Sequence, residues 1–170
     1  MALTVIVAGV TVPQLLVGVE RARARAAARY LTAQVGFVRT QAVGRGATVA
    51  LRFEHIEDGT ALSVVLDGNG NGIRLQDLEE GLDTEIQPPV RLEDLFPGVS
   101  IARPPDAGEP ALQLGGTSFL SFTPSGTSTS GSIYVRGRDG SQFAVRVLGI
   151  TGRVRLLRYD SRSGQWVDSL

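Results

Sequence analysis

The sequence predicts an α+β protein, one long N-terminal helix packed on an antiparallel β-sheet or sandwich. Three observations carry that expectation. Apolar residues recur at spacings of three and four between Ala24 and Ala42, the period of one helix face. After Gly46 the period changes to two. The last third then divides into short β-rich runs separated by clusters of Gly, Ser, Thr and Asp, which punctuate strands.

The helix begins with an uncharged run from Ala2 to Val19, whose 18 residues sit at the lower limit for spanning a bilayer. Residues 1–19 are therefore expected to be the transmembrane part of the helix and 20–46 its amphipathic continuation. No basic stretch precedes the run, and Glu20-Arg21 follows it, which excludes an ordinary cleaved secretory signal. Arg21, Arg23, Arg25 and Arg29 stand just beyond, where the positive-inside rule alone would hold that side in the cytoplasm. Ala and Arg are strong helix formers, so the two parts are expected to be continuous. Pro13 should kink the helix and not end it, and Gly44 and Gly46 supply the stop. Ala24, Ala28, Leu31, Val35, Val38 and Ala42 form the expected packing stripe, flanked by Tyr30 and Phe37, with Arg21, Arg25, Arg29 and Arg39 largely off it.

Residues 47–170 are expected to form a β-rich domain. Val49, Leu51 and Phe53 alternate with polar neighbours, and "EDG" at 57–59 turns the chain into "TALSVVL", which makes a hairpin. Residues 67–117 are rich in Gly, Pro and acids and read mostly as loop, with a helical turn at Leu92–Phe96 and a short strand at Val99–Ala102. Strands follow at 118–122, 132–137, 142–149, 153–159 and 165–167.

Composition narrows the function classes. At 170 residues and 42% hydrophobic content the chain holds one membrane segment and one globular domain. With no cysteine, disulfides, thiolate zinc sites and cysteine nucleophiles are excluded. Formal charge is zero but unevenly spread: residues 20–46 carry six Arg against one acid (+5), 47–110 four Arg against 13 acids (−9), and 111–170 seven Arg against three acids (+4). Such segments are either solvated faces or docking faces for unlike neighbours.

Two local patterns carry chemistry. In "DGNGNGIRLQD" (67–77), Asp67, Asn69 and Asn71 alternate, Gly72 permits a tight turn and Asp77 closes a ring of oxygens, as in EF-hand calcium loops. Leu78 stands where such a loop places its bidentate Glu, so a Gly/Asn-rich turn without metal explains the same residues. In "GRVR", Arg153 and Arg155 alternate on one strand face. Catalysis is unsupported. His55 is the only histidine, no G-x-S-x-G elbow occurs, and Glu93-Asp94 suit capping of the Leu92–Phe96 turn better than acid–base work.

The helix followed by a small β domain resembles type IV pilin-like proteins. The segments "FTPSG" (122–126), "GSIYV" (131–135) and "TGRVR" (151–155) resemble the C-terminal region of the GspH/FimT family of minor pseudopilins and pilins. That resemblance implies a non-enzymatic structural subunit of the pseudopilus of a type II secretion system, anchored in the bacterial inner membrane by one helix with its globular domain in the periplasm. Implied partners are other minor and major pseudopilins, the inner-membrane secretion platform, the lipid bilayer, an exoprotein substrate, and a prepilin peptidase if a leader lies upstream. The family's charged leader, methylated phenylalanine and early glutamate are not found ahead of the apolar run, so Met1 is expected to fall within the mature helix. In the FimT branch, arginines of a GRVR-like motif imply DNA uptake, with Arg153, Arg155 and Arg158 as the contacts of that alternative, a minor type IV pilin. A membrane-anchored, calcium-dependent adhesion module is the alternative from another class.

Overall fold

The computed structural model describes residues 2–105, 108 and 110–169, and side chains from Gly18 onward. Helix α1 (Ala2–Arg45) is a single 44-residue element, about 65 Å long at 1.5 Å per residue. It ends where Gly46 turns left-handed at φ 63°, a conformation that favours glycine. Among the described residues no helix is long and apolar enough to cross a membrane. The side chains of residues 2–17, most of the run expected to do so, lie outside the described residues.

Two antiparallel sheets pack against the second half of α1. The first holds β1 (Val49–Ile56), β2 (Gly59–Leu66), β3 (Thr84–Arg91) and, after two short strands of the other sheet, β6 (Phe119–Phe122), in the order β3-β2-β1-β6. The second holds β4 (Val99–Ile101), β5 (Leu112–Gln113), β7 (Gly131–Gly137), β8 (Gln142–Leu148), β9 (Arg153–Asp160) and β10 (Gln165–Asp168). Its order is β10-β9-β8-β7-β4, and β5 pairs with β7 further along the edge that β4 occupies. Between β2 and β4 lie two short helices, α2 (Leu75–Glu79) and α3 (Leu92–Leu95). The helix α1 touches β1 and β6 of one sheet and β4, β7, β8 and β9 of the other, so the core is one continuous cluster between them.

The hairpin and the last strands lie where the alternating pattern predicts them. Glu57-Asp58 is a two-residue loop and every residue of β1 pairs in register, Val49 with Leu66 through Ile56 with Gly59. The reading of 67–117 as mostly loop is corrected by α2, β3 and β5. Strand β3 carries Pro88 and Pro89, which cannot donate to a ladder and are tolerated because β3 is an edge strand. Its pairing with β2 slips register between Leu62 and Val64 and again between Val64 and Val65. Glu93 and Asp94 stand in the first turn of α3, where acidic charge is expected, but without a cap hydrogen bond. A Glu93 carboxylate oxygen instead accepts the Thr60 N–H at 3.4 Å.

Candidate functional site: the helix seam, the 67–83 loop and the arginine strand

The helix seam is built from small and branched residues on one face. Ala24, Ala28, Leu31, Val35, Val38 and Ala42 are fully buried, and so is Ala27, which the spacing did not single out. The alanines allow close approach: a Cβ on Gly137 of β7 would lie 2.9 Å from the Ala24 Cβ. Tyr30 turns inward at the edge of the seam and meets Phe96 with ring centroids 5.6 Å apart. Facing away, Val19 and Phe37 are 48% and 42% exposed and stand about five turns apart on the same side of α1, while Val43, also exposed, borders the Gly126 turn.

In the 67–83 loop the structure brings three carboxylates inside. Asp67, Asp77 and Asp83 are all buried. Asp67 accepts the Gly70 N–H at 2.6 Å and the Gly72 N–H at 2.9 Å, one on each oxygen. Asp77 accepts from the Asn69 side-chain amide at 3.2 Å, and Asp83 accepts the N–H groups of Gly68 (3.1 Å) and Arg74 (3.2 Å). Buried charge is tolerated when such donors surround it. Of the expected calcium set, Asn69 and Asp77 bond each other, Asp67 bonds only backbone N–H groups of the same turn, and Asn71 is exposed and contributes its backbone N–H to the Asn69 oxygen at 3.0 Å. Asp83 was missed because it stands outside the D-x-N-x-N pattern. No group of three or more His, Cys, Asp or Glu among the described residues is placed to hold a metal ion. Two glycines make the turn: Gly72 has φ 87°, and a Cβ on Gly68 would lie 2.1 Å from the Leu82 carbonyl oxygen.

On β9, Val154 and Leu156 pack toward α1, which turns Arg153 and Arg155 to the outer face of the sheet. Arg155 forms a two-point fork with Asp168 of β10, Nε to Oδ1 at 3.2 Å and Nη2 to Oδ2 at 2.6 Å. The fork lowers the Asp168 carboxyl below its ordinary pKa and raises the Arg155 guanidinium further above its own. Arg146 stands opposite Arg155 in the register. Beside them Trp166 lies between Tyr134 and Tyr159, at 5.4 and 5.3 Å. Arg158 does not join Arg153 and Arg155. By strand alternation it projects to the opposite face, in register with Phe143 and near Arg21 of α1. His55 is exposed at the end of β1, opposite Thr60.

The "FTPSG" and "TGRVR" segments meet each other and the helix. A Cβ on Gly152 would lie 2.5 Å from the Gly126 carbonyl oxygen, and Arg39 donates to the Gly152 carbonyl at 3.4 Å. Both glycines are left-handed, at φ 79° and 60°. Thr123, Ser125 and Thr127 close the first turn with hydroxyl contacts of 2.7 to 3.2 Å.

A family model described as Type II transport protein GspH matches residues 27–151, from near the start of the seam into the β8–β9 turn. The chain belongs to the GspH family. The match includes Gly126 and ends at Thr151, so in this GspH protein the buried stripe and most of the β domain carry the family signal, and Arg153 and Arg155 lie just beyond it. The minor pseudopilin EpsH from the Type 2 Secretion System of Vibrio cholerae has a similar structure. The TM-score is 0.52 at 16% identity, covering 80% of this chain and 97% of that one, which shows a shared fold. Comparison with curated protein sequences gives no match.

Proposed function

We propose that this GspH-family chain is a minor pseudopilin, a structural and non-enzymatic subunit of the pseudopilus of a type II secretion system. The observation that carries the reading is α1. One face from Ala24 to Ala42 is consumed by the chain's own sheets, while the helix continues without a break into the uncharged run Ala2–Val19. A helix so divided has one half free to lie in a bilayer before assembly and among other helices afterwards. Its partners are then other pseudopilins, and the domain occupies the periplasmic side. Val19 and Phe37, exposed on the side of α1 away from the buried stripe, are suited to touch a neighbouring subunit.

The test uses the native absence of cysteine. Full-length Val19→Cys and Phe37→Cys variants, expressed with the other pseudopilins of the source each carrying a single helix cysteine, should form specific disulfide-linked heterodimers and restore exoprotein secretion to a strain lacking the gene. Wild-type-like expression with neither cross-link nor restored secretion would sink the reading. The outward set Arg146, Arg153 and Arg155 favours one second reading, a minor type IV pilin that contacts DNA phosphates. Under it, salt-dependent DNA binding by the full chain is lost in Arg153→Ala/Arg155→Ala; under the first, the double variant secretes normally.

A further inference from the structure

Two adjoining clefts, of about 520 and 530 Å³, open between the start of the amphipathic half of α1 and one end of the six-stranded sheet. They share Arg21, Phe143 and Arg158; Arg162 lines the first and Arg25 the second. Three arginines thus line each cleft, drawn from α1, β9 and the β9–β10 turn, segments distant in sequence. The nearby carboxylates are already engaged. Asp139 accepts from the Ser141 hydroxyl at 2.6 Å and lies 3.6 Å from Arg21, Asp160 holds the Arg162 N–H and the Ser163 hydroxyl, and Asp168 holds Arg155. Arg158 and Arg162 form no ion pair within 4 Å among the described residues. The Asp160 carboxyl is lowered first by its hydrogen bonds from the Arg162 N–H and Ser163, and the charges of Arg158 and Arg162 add only the last part.

The position of the clefts along α1 narrows the ligand. The β7–β8 turn lies beside the start of the amphipathic half, with Gly137 against Ala24, whereas the β8–β9 turn lies at Arg39. The clefts are therefore at the end of the domain that faces the uncharged run. Arg21 and Arg25 follow Val19 by about 3 and 9 Å along the helix axis, which spans the headgroup layer of a bilayer whose hydrocarbon the run occupies.

We propose that these clefts form a binding site for a phosphate-bearing anion, supplied by the headgroup of an anionic phospholipid where α1 leaves the membrane. Guanidinium groups offer paired N–H donors that match phosphate oxygens. The lipid source rests on the membrane-anchored reading above; the phosphate chemistry rests on the cleft alone. Occupied, the site would fix the domain's height and tilt on the membrane through both α1 and β9.

Full-length protein in nonionic detergent micelles, titrated calorimetrically with short-chain phosphatidylglycerol, phosphatidylcholine or inorganic phosphate, tests this. Phosphatidylglycerol is expected to bind about tenfold more tightly than phosphatidylcholine. Arg158→Gln/Arg162→Gln should lose most of that binding with an unchanged circular dichroism spectrum, and Arg158→Lys/Arg162→Lys should retain part of it. If the double Gln variant fails to fold, Arg162→Gln alone, in an exposed turn, gives the same comparison. Inorganic phosphate binding as tightly as phosphatidylglycerol, and competing with it, supports the site and moves its source to free phosphate. Equal binding of the two lipids, no binding at all, or binding that the Gln variants leave unchanged would overturn the proposal. Short-chain lipid needs no assembly, so a protein that binds it yet never cross-links to pseudopilins breaks the proposed function and not the site.

Discussion

In the six-stranded sheet, β7, β8, β9 and β10 follow one another both along the chain and in space, joined by short turns. In the four-stranded sheet only β1 and β2 do so simply. β3 arrives after a loop held by three buried aspartates, pairs with a slipped register and carries two prolines, while β6 comes from beyond the whole 67–117 segment. The difference teaches that one sheet is specified by local alternation and turn chemistry, and the other by polar side chains that tie an irregular segment to it. What joins them is α1, whose buried stripe touches strands of both.

The largest expected effect comes from breaking that joint. Leu31→Ala removes a fully buried side chain from the common core and should destabilise the protein by about 3 kcal/mol. Amides of Val64 in β2 and Val145 in β8 should lose protection from hydrogen exchange together. Loss at one strand with the other unchanged would mean that the sheets are stable separately and that the helix does not couple them.

A smaller effect is expected where the six-stranded sheet depends on close backbone approach. Gly152→Ala places a Cβ against the Gly126 carbonyl oxygen at a left-handed φ and should cost about 2 kcal/mol. Gly140→Ala, at φ 81° with open space around it, should cost about 1 kcal/mol for backbone conformation alone. Equal thermal shifts for the two variants would remove the contact between the two motif segments as the reason for the glycine at 152.

For the four-stranded sheet the corresponding change is Asp83→Asn. It replaces an acceptor-only carboxylate with an amide that satisfies one of the Gly68 and Arg74 N–H groups, for a loss of about 1 to 2 kcal/mol. Exchange at those two amides should rise about tenfold while Val145 stays protected. The same loop carries the calcium expectation. Both Asp67 oxygens are occupied by backbone N–H groups, so calcium titration is expected to give no heat. Binding that disappears in Asp67→Asn would instead assign the loop to a cation.

Much of the fold is legible in the sequence because it rests on periodicity. The stripe from Ala24 to Ala42 and the alternations of 49–66, 132–137 and 142–148 each repeat the geometry of one element. β3 is illegible for the same reason: "TEIQPPVR" has no alternation and contains two residues that ordinarily argue against a strand. At the candidate sites, D-x-N-x-N marks a turn, but Asp83 completes it from across the loop, where no spacing rule points. Arg158 reads as a neighbour of Arg155 along the chain, yet an odd separation of three along a strand sends the two to opposite faces. The clefts at Arg21 and Arg158 are wholly tertiary, since nothing in either segment names the other.

The smallest expected effect separates a structural fork from a working arginine face. Asp168 titrates below its ordinary value in the folded protein, chiefly through its hydrogen bonds from Arg155 and then the charges of Arg155 and Arg153. Its contribution is therefore complete above the unfolded carboxylate pKa of about 4 and is lost as pH falls through the lower folded value. Both partners are solvent-exposed, so Asp168→Asn should leave stability at neutral pH nearly unchanged. What it should do is flatten the part of the acid unfolding profile below pH 4 that this pair supplies, while freeing the Arg155 guanidinium on the outer face. If the outer face binds DNA, freeing it should tighten salt-dependent binding; if the fork serves only to hold β10 against β9, binding stays absent and β10 amides exchange faster. Because the two outcomes move different observables, one variant decides whether GRVR in this chain is a strand lock or a phosphate-binding surface.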